Sequence, residues 1–125
     1  MRRVAAALLL VVLAIPAAAG ADCKVHRGEA VVLYSTTDDP SVFLWDSRLR
    51  LRDYNAASFD EAQALLPHAV LVAPGTHASV VSCVPKFVVS PMFSEPDDAV
   101  GVLIVSGPQH GLTRWVLGSD VRQFH

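Results

Sequence analysis

The stretch that decides the fold is Val102-Leu103-Ile104-Val105-Ser106-Gly107, followed after a short turn by Arg114-Trp115-Val116-Leu117-Gly118-Ser119-Asp120-Val121. Ala99 to Val105 is apolar and rich in β-branched residues, so it reads as a buried strand. Ser106 to Gly111 carries the glycine and proline of a tight turn, and Leu112 to Leu117 reads as the returning strand. Gly118-Ser119-Asp120 then turns the chain into a last strand over Val121 to Phe124. Three short strands joined by tight turns predict an all-β domain.

Upstream, Ala30 to Tyr34 reads as a first strand, and Ser35 to Pro40 has the composition of a loop. Phe43, Trp45, Leu49 and Leu51 share one parity, while Asp46, Arg48, Arg50 and Arg52 share the other. That alternation predicts a half-buried extended arm with the arginine stripe as its solvated face. Ser58 followed by Glu61 is a capping-box spacing ahead of Ala62, Ala64, Leu65 and Leu66, so a short helix is expected over residues 59–66, ended by Pro67. Ala69 to Ala73 and His77 to Val84 read as further strands about the Pro74-Gly75 turn. Pro85 to Asp98 is expected to be a surface loop with some apolar anchoring.

The start of the chain gives its address. Arg2 and Arg3 precede an unbroken apolar run from Val4 to Ile15, then Pro16 and the small residues Ala17 to Ala21. Basic start, short apolar core and small-residue cleavage site are the order of a secretory signal peptide. The run of about 12 residues falls short of the ~20 that span a bilayer. Residues 1–21 are therefore expected to be removed, leaving residues 22–125 as one exported domain, periplasmic or secreted, with no membrane span. Removing Arg2 and Arg3 leaves eight basic against twelve acidic residues. That acidic balance argues against a nucleic-acid partner. The leader also inflates the 52 % hydrophobic content. Two cysteines remain, Cys23 and Cys83, and an oxidising compartment with an even count predicts that they pair.

The closing stretch resembles the end of bacterial Src-homology-3-like domains, which finish with a strand, a hairpin turn, a Gly-Trp-Val strand, one helical turn and a last strand. Arg114 stands where that family usually has glycine. Ala30 to Ser35 is similar to the family's opening strand, and Ala73-Pro74-Gly75-Thr76 to its mid-domain turn. The resemblance implies a small barrel of five to six strands, with Ser41–Pro67 and its helix as an insertion. It also implies a non-catalytic binding module, expected to be a monomer, directed at a cell-wall peptide or an envelope partner protein. Its groove would be lined by Tyr34, Trp45 and Trp115.

Catalytic and metal signatures are sparse. The histidines, His26, His68, His77, His110 and His125, form no close pair and no His-Glu-x-x-His, so neither a metal nor another cofactor is expected. No Gly-x-Ser-x-Gly elbow occurs. Asp38-Asp39 and Asp97-Asp98 read as turn formers rather than calcium ligands. Two other readings stay open. One is a small exported hydrolase or hydrolase inhibitor with a loop-built site around His68, His77 and His110. The other is a structural envelope component that packs through the Phe87–Phe93 loop.

Overall fold

A computed structural model of the chain describes residues 22–124. The expected signal peptide, residues 1–21, lies outside the described residues, as does His125. The chain forms β1 (Ala30–Leu33), β2 (Val42–Trp45), α1 (Arg48–Ala56), α2 (Phe59–Leu65), β3 (Ala69–Val72), β4 (Thr76–Val88), β5 (Asp97–Ile104), β6 (Thr113–Leu117) and β7 (Val121–Gln123). The seven strands make one antiparallel sheet in the order β3-β2-β6-β5-β4-β1-β7. The all-β expectation holds. The sheet has seven strands instead of five to six; β2 and β3, on either side of the helical segment, pair with each other and join the rest through the single register pair Trp45–Trp115.

Period-two alternation sends the side chains of this sheet to two cores. Val31, Leu33, Leu44, Val80, Val100, Val102, Ile104 and Val116 point to one face and form an aliphatic inner core. Trp45, Val88 and Ala99, with the half-buried Phe43, Trp115 and Leu117, point to the other face beneath α1, where Leu51 closes the layer. Burial on both faces explains why β5 reads as a continuous apolar run rather than an alternating one.

β4 is long enough to serve both halves of the sheet because its ladder is interrupted. Its register with β5 shifts between Val80 and Ser82 and again between Val84 and Val88. The second break contains Pro85, which has no N–H to give, and Lys86, whose φ of 52° turns its N–H toward Asp98 Oδ1 at 3.0 Å. Such irregularities bend the strand and let the sheet curl around the inner core. The break also corrects an expectation. Residues 85–88 are the end of a strand with Val88 fully buried, and the loop is confined to residues 89–96.

A second correction concerns residues 48–56, which are helical and not an extended arm. Ser47 caps α1, its hydroxyl accepting the Arg50 N–H at 3.1 Å, and Asp46 pairs with Arg50 one turn on at 2.6 Å. The odd-parity run joined a strand end to a helix start by coincidence. Leu49, which that parity would bury, is 51 % exposed, while Leu51 is the residue α1 buries. The described residues therefore form two short α-helices where one was expected.

The second helix follows its sequence signal. Ser58 and Glu61 form the reciprocal capping box, with the Ser58 N–H donating to Glu61 Oε1 at 2.9 Å. That backbone hydrogen bond, then the one from the Ser58 hydroxyl, holds the Glu61 carboxyl below its ordinary range. A single 3-10 turn over Leu66–His68, containing Pro67, ends the helical segment. At the other end of the molecule, Cys23 and Cys83 form the expected disulfide across 60 residues. It ties down the segment that delivers Val25 into the inner core.

Candidate functional site

Where β2 and α1 meet the rest of the sheet, they leave an open cleft of about 410 Å³. That volume lies within the ordinary range for a small-ligand or side-chain pocket. Its floor is aromatic. Tyr54 of α1 lies 4.7 Å, centroid to centroid, from Trp45 and 6.0 Å from Phe43. Leu51, one turn earlier on α1, is 1 % exposed and fixes the helix against the sheet, so Tyr54 is held in place by packing. The far wall is Phe93 with Met92, the latter 88 % exposed, on the loop after β4.

The near rim is polar and acidic. Thr36 of the β1–β2 loop donates to Asp120 Oδ1 twice, from its N–H at 3.1 Å and its hydroxyl at 3.2 Å. Thr37 donates its hydroxyl to Asp39 Oδ2 at 2.7 Å. Burial raises the Asp120 carboxyl above the usual carboxylate range, and nearby Asp97 raises it further. The two Thr36 hydrogen bonds and Arg122 act the other way. The net effect is a rim carboxylate short of compensation. This arrangement, an apolar aromatic floor beside under-compensated acceptors, can hold an apolar side chain next to a hydrogen-bond donor or a positive group.

The three residues expected to line a groove are dispersed. Trp45 is 1 % exposed and belongs to the outer core, and it lines the cleft from its base. Trp115 faces Trp45 across the sheet but lies outside the cleft, half-buried, with its ring over Gly101. A Cβ on Gly101 would come within 3.4 Å of that ring and 2.6 Å of Ser82 Oγ, so glycine keeps the space the indole occupies. Tyr34 lies elsewhere, with the Arg122 guanidinium over its ring at 4.9 Å.

Nor does the structure gather the histidines into one site. His68 Nδ1 is 3.6 Å from Asp46 Oδ2, His77 packs edge-on against Phe124, and His110 hydrogen-bonds to the Gly107 carbonyl. Among the described residues, Cys23, Cys83 and Asp98 alone approach metal-binding distances, and both cysteines are consumed by the disulfide. Phe43, Tyr54, Phe93 and Asp120 are cleft residues that no sequence pattern groups. The Ser47 cap was the available signal for α1, and through α1 for Tyr54. Comparisons with protein-family models, curated proteins and solved structures gave no match.

Proposed function

We propose that this protein is a non-catalytic exported binding module on a Src-homology-3-like barrel, taking a cell-wall peptide or a segment of an envelope partner protein in the cleft. The observation that carries the reading is the cleft itself, with Tyr54 packed at a tilt against Trp45 as its floor and the Asp120–Thr36 rim beside it. The architecture is supported by the closing succession of β5, a hairpin turn, β6 with Trp115, one 3-10 turn over Gly118–Asp120 and β7. Export is supported by the leader-like start and by the Cys23–Cys83 bond. The long insertion supplies β2, α1 and most of the cleft floor, so it gives this module its own recognition surface.

The test is retention of the purified, oxidised protein on cell-wall material and on immobilised envelope extract. Tyr54→Ala is expected to weaken retention by about tenfold, the equivalent of ~1.4 kcal/mol. Tyr34→Ala, off the cleft, is expected to leave it unchanged. Absence of retention on every fraction, or equal loss from both variants, would overturn the reading.

A further inference from the structure

The side of α1 that borders Phe87 and Trp115 carries a feature separate from the cleft. Arg48, Arg50 and Arg52 lie on this one helix, but they are used differently. Arg50 is committed to Asp46 at 2.6 Å. Arg48 has its guanidinium over Phe87 at 5.7 Å and over Trp115 at 5.9 Å, and Arg52 has its own over the same Phe87 ring at 4.9 Å. Among the described residues the Arg48 side chain makes no hydrogen bond or ion pair, and the ion pair of Arg52 is a 4.0 Å contact to Asp53. In a chain with an excess of acidic residues, two arginines have been brought together over one aromatic ring and left without strong anionic partners.

Stacking fixes the planes of the guanidinium groups while leaving their edge N–H donors free to bind. A carboxylate has two oxygens and is filled by one arginine fork. A phosphate group offers more acceptor oxygens and can receive two forks at once. α1 has no acidic residue in its first turn, so its N-terminal dipole adds to the positive field beside Arg48. We infer that Arg48 and Arg52, held on Phe87 and Trp115, form a phosphate-binding site on the inserted helix. The phosphate would come from an anionic lipid headgroup or from a free phosphate compound. The site stands on its own geometry, whatever occupies the cleft.

The experiment follows the side-chain Nε–H resonances of Arg48 and Arg52 in the purified, oxidised protein. Sodium phosphate is titrated at constant ionic strength against chloride. Saturable shifts at both resonances are expected. Arg48→Gln with Arg52→Gln is expected to weaken phosphate binding at least about tenfold. Arg48→Lys with Arg52→Lys keeps the charge and the covering stems. It loses the forks, so it should weaken binding nearly as much. Arg27→Gln, which removes a positive charge outside α1, is the control and should change nothing. The lysine pair keeps the test usable if the glutamine pair fails to fold.

Vesicles of phosphatidylglycerol and of phosphatidylcholine separate the sources. Retention on the anionic vesicles, lost in the lysine pair, supports the site and assigns a lipid headgroup. Phosphate shifts without vesicle retention support the site and assign a free phosphate compound. Shifts no larger than those in chloride, or full binding by the lysine pair, would overturn the inference.

Discussion

The two faces of the sheet are built from different materials. The inner face is aliphatic, with Val31, Leu33, Val100, Val102 and Val116 wholly buried. The outer face is aromatic and mostly half-buried, roofed by a nine-residue helix, and borders both the cleft and the arginine pair. Branched aliphatics fill space densely in few rotamers and make a stable interior. Aromatic rings tolerate partial exposure and offer stacking surfaces at their free edges. The contrast teaches a division of labour, in which the inner face holds the fold and the outer face is free to bind.

The largest way to break that division is at the disulfide, which belongs to the inner side. Cys83 packs against the inner core and Cys23 delivers Val25 to it. Closing 60 residues stabilises by about 4 kcal/mol on the chain-entropy account. Urea unfolding with and without reductant is expected to show a loss of that order. A loss below about 1 kcal/mol would mean that the N-terminal segment contributes little to the inner core.

Paired truncations sharpen the comparison one step further. Ile104→Ala removes a side chain that is 1 % exposed on the inner face and should cost about 3 kcal/mol. Phe43→Ala removes a larger but half-buried ring on the outer face and should cost about 1 kcal/mol. The readout is the shift in denaturant midpoint at constant slope. Equal costs would show that the outer layer is a second structural core and not a surface adapted to binding.

The same contrast explains what could be read from the chain. Inner-face strands such as β1, β3 and β5 were legible because β-branched runs between turn residues have one good solution. The α2 helix was legible from Ser58 and Glu61, whose capping geometry is local. The α1 helix was not, because Phe43 to Arg52 happens to alternate. Its true signals, the Ser47 cap and the Asp46–Arg50 spacing, were outweighed by that pattern. Val88 was hidden by Pro85, which reads as a loop former until the bulge that accommodates it is seen. The cleft was illegible for a deeper reason. It joins Thr36, Tyr54, Phe93 and Asp120, four segments that only the tertiary fold brings together.

The smallest effect tests the rim of the cleft. Burial raises the Asp120 carboxyl in the folded protein, whereas in the unfolded chain it titrates near the ordinary value of about 3.9. Between those two values the folded state holds more protons than the unfolded state. Stability from this group is therefore greatest below about pH 3.9 and falls as pH rises through the raised folded value. Asp120→Asn abolishes the titration yet keeps an amide oxygen able to accept from Thr36. The variant should gain stability relative to the parent as pH is raised from about 3.5 to neutral, by less than any core truncation costs. Denaturant midpoints at both pH values measure it. Among the described residues the buried set is apolar throughout. A charge kept under-compensated at a cleft rim costs the fold stability. A pH-independent difference would show that Asp120 is well solvated in the folded protein, and the rim would then be ordinary surface.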